Sequence, residues 1–142
     1  MNNSIINFPL PANEPVKAYM PGSPERVALE KELERQSKLV VEIPIIIGGK
    51  EIRTGDMGEV TCPHDHKHVI ARYHKVGKKE VEMAIDAAMK AWKEWSCTPW
   101  TTRAAIVMKM AELLATKYRP IMNAATMLGQ SKNFFQAEID SA

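Results

Sequence analysis

The sequence predicts a helix-rich α+β fold in which a small antiparallel β unit precedes several helices. Short apolar runs separated by turn-forming residues occupy residues 43–75. From Lys78 onward, apolar residues recur every three or four positions, as they do on one face of a helix. No glycine-rich turn stands between a strand and a helix, so these residues predict no βαβ nucleotide-binding unit.

The composition indicates one globular domain. The chain has 142 residues, of which 45% are hydrophobic and 25% charged, which is typical of folded proteins and not of disordered or membrane-spanning ones. The net charge of +2 is too small to indicate nucleic acid or an anionic membrane as a partner. The first fifteen residues lack the patterns of a signal or transit peptide, which predicts a cytoplasmic protein. The two cysteines imply no disulfide framework.

Residues 1–22 are predicted to form an extended N-terminal arm, because they are rich in Asn and Pro and show no period. A helix is predicted to follow. Ser23 is a suitable N-cap, Pro24 suits the first helical position, and Glu25 places an acid in the first turn. This helix should continue to about Lys38.

The β unit at residues 43–75 begins with a predicted hairpin. Gly48 and Gly49 can supply the positive φ angles of a tight turn. Composition makes residues 62–67 a turn. The predicted strands lie at residues 45–47, 50–53, 58–61 and 68–74.

Residues 78–142 are predicted to be helical. Trp92 and Trp95 fall on the apolar face of the first of these helices, so core packing is the preferred interpretation, and the methionines are interpreted as core residues too. Gly129 should end the third helix and Ser131 should cap the last one. The last helix reaches Ala142 without a stop signal, so residues 23–142 are expected to be one domain truncated at its C-terminus.

One cluster offers metal-ligand chemistry. Cys62, His64, His66 and His68 carry thiol and imidazole groups suited to zinc or copper. Their spacing does not match the paired ligands of structural zinc sites, and Pro63 breaks any strand alternation. A polar loop with exposed imidazoles is the preferred alternative, so no metal ligand is assigned.

Two further candidates have simpler explanations. Cys97 could be a nucleophile just before a helix start, but no histidine is near it in sequence and a structural cysteine is preferred. Residues 129–132 resemble a phosphate loop only superficially, because the first glycine and the preceding strand are missing. Paired carboxylates such as Glu30 and Glu34 lie on solvated helix faces. The residues alone therefore show no catalytic constellation.

Taken together, several segments resemble the long-form 1-pyrroline-5-carboxylate dehydrogenases of the aldehyde dehydrogenase superfamily. The resemblance runs from about Asn13 to Ala142. Its segments are NEP, PGSPER, IPIIIGGKEI, CPHDHKHVIARY, AIDAAMKAWKEW, TTRAAIVMKMAELL and MLGQSKNFFQAEIDSA. The opening and closing segments are the more specific ones, whereas the others are shared in style with aldehyde dehydrogenases broadly.

The resemblance implies the N-terminal portion of an aldehyde dehydrogenase-like α/β fold, with an incomplete Rossmann-like domain. It implies a parent protein that oxidises glutamate semialdehyde, the open form of 1-pyrroline-5-carboxylate, to glutamate with NAD during proline catabolism. A small-molecule substrate and a homo-oligomer when full length are implied as well. The catalytic Cys, Asn and Glu and the NAD-binding residues of the family lie downstream of the matched region, and neither Cys62 nor Cys97 matches the catalytic cysteine. No catalytic, cofactor-binding or metal residue is assigned here.

We therefore expect a catalytically inactive fragment whose apolar faces, around Trp92, Trp95, Val107 and Leu114, lack part of their partner surface. Self-association or poor solubility of the isolated chain is the predicted result. The alternative hypothesis is a non-enzymatic helical interaction module that binds a partner protein.

Overall fold

The structure, a computed structural model, describes residue 5, residue 10 and residues 12–142. The remaining positions of the predicted arm lie outside the described residues. The helices are α1 (Pro24–Ser37), α2 (Lys78–Cys97), α3 (Trp100–Ala115), α4 (Arg119–Gln130) and α5 (Phe134–Ser141). The strands are β1 (Val41–Ile43), β2 (Ile45–Ile47), β3 (Lys50–Ile52), β4 (Met57–Cys62) and β5 (Asp65–His74).

Helix α1 begins where the sequence predicts, but its start is stabilised differently. Pro24 occupies the first turn and Glu25 supplies its acid. Ser23 has the extended backbone of an N-cap, yet its side chain makes no cap hydrogen bond, and its buried Oγ has no partner among the described residues. Pro24 has no N–H to cap, and its fixed φ already suits a helix, so the start depends on backbone geometry.

The strands form two small sheets. β2 and β3 make the predicted antiparallel hairpin, with Gly48 and Gly49 at φ angles of 57° and 75° in its turn. β4 and β5 are antiparallel as predicted, but the turn between them is shorter, because Asp65 to Lys67 already belong to β5. β1 pairs with β5 in parallel, which sequence analysis did not predict. The second sheet therefore has the order β1-β5-β4.

Helices α2 and α3 contact the rest of the molecule sparingly. On α2, Ala87 faces the hairpin turn, and a Cβ added at Gly48 would lie 3.6 Å from the Cβ of Ala87. Trp92 and Trp95, also on α2, are 60% and 46% exposed. The core position predicted for these two tryptophans is therefore wrong for the described structure. The helical period identified their apolar face correctly, but a period does not show what covers a face.

The junction between α4 and α5 differs from the prediction by a few residues. Gly129 lies inside α4, and Ser131 takes the left-handed C-cap conformation with φ of 54°. Asn133, not Ser131, caps α5: its Oδ1 accepts the backbone N–H of Gln136 at 2.9 Å, and Gln136 Oε1 accepts the N–H of Asn133 at 3.1 Å. A reciprocal pair satisfies two free donors of the helix start, whereas one serine would satisfy one.

The core is small and lies where the arm, α1 and α4 meet. Tyr19 from the arm, Leu29 from α1 and Ala124 from α4 are buried together, with Leu33 and Met127 beside them. The arm is thus part of the packed structure at Tyr19, although residues 12–20 have no regular secondary structure.

None of the helices in the part of the chain described has both the length and the hydropathy of a membrane-spanning segment.

Candidate functional site

Like the side chain of Asn123 on α4, the carboxylate of Glu138 on α5 is fully buried. It accepts the backbone N–H of Lys17 at 2.7 Å, the hydroxyl of Tyr19 at 2.8 Å and Nδ2 of Asn123 at 2.9 Å. Arg119 donates to it twice, through Nε at 3.2 Å and through Nη2. We name Tyr19, Arg119, Asn123 and Glu138 the Glu138 cluster. Five donors on one carboxylate leave it no free lone pair for a ligand.

The electrostatics of the cluster follow from burial and donation. Burial opposes ionisation of Glu138, but the hydrogen bonds from Arg119, the Lys17 amide, Tyr19 and Asn123 outweigh it, so the pKa of Glu138 lies below its usual value. Burial and the Glu138 carboxylate raise the pKa of Tyr19 to about 12. The hydrogen bond to Glu138 raises the pKa of Arg119. The cluster therefore stays in one protonation state near neutral pH, which suits a structural role and not proton transfer.

The cluster also fastens the arm to the helices. Arg119 is almost completely buried, and its Nη2 donates to the carbonyl oxygen of Pro15 at 2.6 Å, while Nη1 lies 3.5 Å from Oε2 of Glu14. Together with Lys17 and Tyr19, these contacts seat the arm on α4 and α5. Asn123 Nδ2 also donates to the Tyr19 hydroxyl at 2.8 Å, and its Oδ1 has no partner in the part of the chain described.

Cys62 is fully buried at the end of β4. Its thiol donates to the carbonyl oxygen of Leu128 at 3.2 Å, and the ring nitrogens of His64 lie 3.3 Å and 3.4 Å from its Sγ. His64 Nδ1 is also 2.7 Å from Oγ of Ser131. The Cys62 thiol is shielded from solvent and bonded to a carbonyl oxygen of α4, so it links β4 to the end of α4 and offers no accessible nucleophile.

The histidines predicted as a possible metal cluster do not converge. His66 is exposed on β5, and His68 Nε2 is 2.8 Å from the carbonyl oxygen of Ser37 at the end of α1. Within residues 12–142, no three side chains of the His, Cys, Asp or Glu type come close enough to hold a metal ion. The predicted loop is wrong for two of the histidines, because His66 and His68 lie on β5, and the partly buried His68 links β5 to the end of α1.

The two remaining candidates also lack a site. Cys97 is exposed at the end of α2 with Sγ 3.9 Å from Oγ of Ser96, and no imidazole hydrogen-bonds to it in the part of the chain described. Lys132, the lysine of the loop that resembled a phosphate loop, pairs with Asp140 on α5. A paired lysine and a loop that does not follow a strand give no phosphate cradle.

Beside Tyr19 lies an apolar cavity of about 190 Å³, lined in part by Leu29, Leu33, Met127 and Phe134. Small-molecule pockets usually occupy roughly 300–1,000 Å³, so this cavity is too small for a dinucleotide. Two charged side chains, Arg26 and Glu30, also line it and pair with each other at 2.8 Å.

Sequence analysis missed the Glu138 cluster. The usable signal was weak: Glu138 stands on a short helix with phenylalanines at its i−4 and i−3 positions and no basic residue at i+3 or i+4. Arg119 and Asn123 are spaced i,i+4 and so share a face of α4. No local pattern connects these residues with Tyr19, which lies 119 positions before Glu138.

The sequence and the fold both match known proteins. The model of the aldehyde dehydrogenase family matches residues 52–142. A probable delta-1-pyrroline-5-carboxylate dehydrogenase of Schizosaccharomyces pombe is 50% identical over 98% of this chain and 26% of that protein. The mitochondrial delta-1-pyrroline-5-carboxylate dehydrogenase of Homo sapiens is 41% identical over 92% of this chain and 23% of that protein.

Among solved structures, the delta-pyrroline-5-carboxylate dehydrogenase of Mycobacterium tuberculosis bound with NAD and cobalamin superposes with a TM-score of 0.95 and 39% identity. That superposition covers 99% of this chain and 26% of the other. The chain thus spans about a quarter of the length of the relatives it matches. With more than half of its residues matched by the family model and this agreement in fold, the chain belongs to the aldehyde dehydrogenase family.

Proposed function

We propose that this chain forms part of an NAD-dependent dehydrogenase that oxidises 1-pyrroline-5-carboxylate, through its open form glutamate semialdehyde, to glutamate in proline catabolism. The observation that carries the proposal is the agreement across nearly the whole chain with proteins of that name. The match to the Schizosaccharomyces pombe relative extends well beyond the residues 52–142 that the general family model covers.

In this proposal the described residues are scaffold. The cavity beside Tyr19 is too small for a dinucleotide, and no imidazole in the part of the chain described hydrogen-bonds to the exposed thiol of Cys97. The catalytic and cofactor-binding residues would lie in the part of the dehydrogenase fold outside these 142 residues. NAD, bound there, would accept the hydride. We therefore expect the 142 residues alone to be inactive.

A chimera tests the proposal. This chain would replace the aligned segment of the Schizosaccharomyces pombe relative, and NADH formation with 1-pyrroline-5-carboxylate would be measured. We expect the chimera to oxidise 1-pyrroline-5-carboxylate in preference to simple aliphatic aldehydes, and the 142-residue chain alone to form no NADH. A folded chimera that lacks this activity would contradict the proposal. The parental relative, expressed alongside, is the positive control.

One observation favours a second candidate, a non-enzymatic interaction module: the large apolar side chains exposed on α2 and α3. Such a module would bind a partner without needing the rest of a dehydrogenase. It predicts a well-behaved 142-residue protein and a chimera that is folded but inactive, so the same experiment separates the two candidates.

The assembly and the compartment follow from the same proposal. We expect a homo-oligomer for the complete enzyme, with a small-molecule substrate and with no nucleic-acid or membrane partner. The cytoplasm remains the predicted compartment, and mitochondria are the competing one, because the human relative is named as a mitochondrial protein. Fractionation of cells that express the native gene distinguishes these compartments.

A further inference from the structure

The N-terminal arm is bound to the helices in the way that a folded domain binds an extended peptide. The backbone N–H of Lys17 donates to Oε1 of Glu138, and the Tyr19 hydroxyl donates to Oε2 of the same carboxylate. Arg119 donates to the carbonyl oxygen of Pro15. These partners lie more than a hundred positions later in the chain. Main-chain hydrogen bonds together with one anchored side chain are typical of peptide recognition.

The groups that receive the arm are held in place without it. We name Arg119, Asn123 and Glu138 the arm socket. Three of the five hydrogen bonds to the Glu138 carboxylate come from α4, two from Arg119 and one from Asn123. These three bonds join α4 to α5 directly and do not involve the arm. The carboxylate then has room for two further donors, which are the two that the arm supplies.

A tight turn joins the arm to α1. The backbone N–H of Ser23 donates to the carbonyl oxygen of Met20 at 3.0 Å, and Gly22 has a φ of 78°. Pro21 and Gly22 at the two central positions are typical of a type II turn. Residues 20–22 are exposed. Opening this turn would break one backbone hydrogen bond and would leave every group of the arm socket intact.

The closed turn is also the least favourable part of this region. Ser23 Oγ is buried and has no hydrogen-bond partner in the part of the chain described. A buried hydroxyl without a partner is unfavourable, and an open turn would expose this one to water. Tyr19, next to the turn, has a φ of 49°, where a non-glycine residue is strained. Short connections under strain are the places at which chains exchange segments.

We propose that the arm is exchangeable, and that the arm socket takes the arm of a second copy of this chain in place of its own. Each copy carries one arm and one socket, so reciprocal exchange closes a two-fold dimer. The contacts at each socket are the same in the dimer as in the monomer. The turn and the cost of bringing two chains together therefore decide between them, and a higher protein concentration favours the dimer.

Mixing two variants of the 142-residue chain tests the exchange. Arg119→Met/Glu138→Leu removes the polar groups of the socket and keeps the arm, whereas Tyr19→Ala disables the arm and keeps the socket. Fluorescence anisotropy of the labelled socket variant would measure its association with the arm variant. We expect at least tenfold tighter association in this pair than between two copies of the socket variant. General self-association through exposed apolar side chains is common to both pairings and serves as the control.

Equal association in the two pairings would overturn the proposal. Because Tyr19→Ala also removes a core side chain, a second measurement uses a variant that keeps every contact of the arm. Two glycines inserted after Gly22 lengthen the turn and relieve the closed form, so light scattering should show a several-fold smaller fraction of dimer than for the unaltered chain. An unchanged fraction, or an unaltered chain without a discrete dimer, would also overturn the proposal. Neither measurement depends on the proposed function, because neither reports activity.

Discussion

The replacement of Arg119 by methionine is the most demanding test of the Glu138 cluster. Arg119 supplies two of the five donors to the Glu138 carboxylate and also donates to the carbonyl oxygen of Pro15. Arg119→Met keeps most of the apolar stem but removes the charge, so Glu138 remains buried with three neutral donors. Removing one partner of a buried ion pair typically costs about 3–5 kcal/mol. Because three donors remain, we expect the lower end, about 3 kcal/mol.

Urea unfolding at neutral pH, followed by circular dichroism, measures this cost. With slopes of about 1–3 kcal/mol per M, a loss of about 3 kcal/mol lowers the urea midpoint by roughly 1–3 M. Arg72→Met is the matched control, because Arg72 pairs with Glu59 across β4 and β5 and both side chains are about half exposed. Exposed pairs of this kind contribute less than about 1 kcal/mol.

The double variant Arg119→Met/Glu138→Leu separates the ion pair from the rest of the site. It removes the unpaired carboxylate, so we expect it to regain part of the stability that Arg119→Met loses. If Arg119→Met costs no more than Arg72→Met, the argument that a buried carboxylate fastens the arm is refuted.

Four further predictions follow from the described contacts. The pKa of Glu138 is lower in the folded state than its unfolded value of 4.5, so the ionised carboxylate stabilises the fold above that pH. This stabilisation is lost as pH falls through the folded pKa, and Glu138→Gln should therefore flatten the dependence of the urea midpoint on pH below about 5. The pKa of Tyr19 is raised to about 12 from 10.0, so its contribution to the free energy of unfolding is lost as pH rises between these values. Tyr19→Phe should abolish the late step of the tyrosinate absorbance titration and lower the free energy of unfolding by about 1–3 kcal/mol at neutral pH. Gly58→Ala would place a Cβ against the Tyr73 ring and should lower the melting temperature, with a cost of about 1–3 kcal/mol that Tyr73→Ser relieves. Asn133→Ala should lower the free energy of unfolding in urea by about 1 kcal/mol. Asn133→Ser should lower it by much less, because serine can also cap the helix.

Local signals in the sequence located the regular elements well. The Ser-Pro-Glu start of α1, the Gly-Gly hairpin and the apolar period after Lys78 each depend on a few neighbouring residues, and all three are present in the structure. The parallel pairing of β1 with β5 was not foreseen. β1 has three residues, followed at once by Pro44, and its partner strand lies about thirty positions later. A pattern of a few neighbouring residues does not specify which distant strand β1 pairs with.

Burial was harder to predict than secondary structure. Residue type did not predict burial at two positions: the apolar Trp92 is exposed, and the charged Arg119 is buried. A period shows which side of a helix is apolar, whereas burial depends on what lies against that side. For Arg119 the covering groups come from the arm, more than a hundred positions earlier in the chain. For Trp92 the described residues supply no cover.

The long connection between Tyr19 and Glu138 has a consequence for how the chain is made. The two residues are 119 positions apart, and the arm has no carboxylate to bind until Glu138 has left the ribosome. At about 5–20 residues per second, the arm emerges roughly 6–24 s before its partner. Throughout that time the aromatic ring of Tyr19 and the apolar residues around it are available to other nascent chains and to chaperones. The contact that fastens the arm to α5 can therefore form only after the four preceding helices have been synthesised.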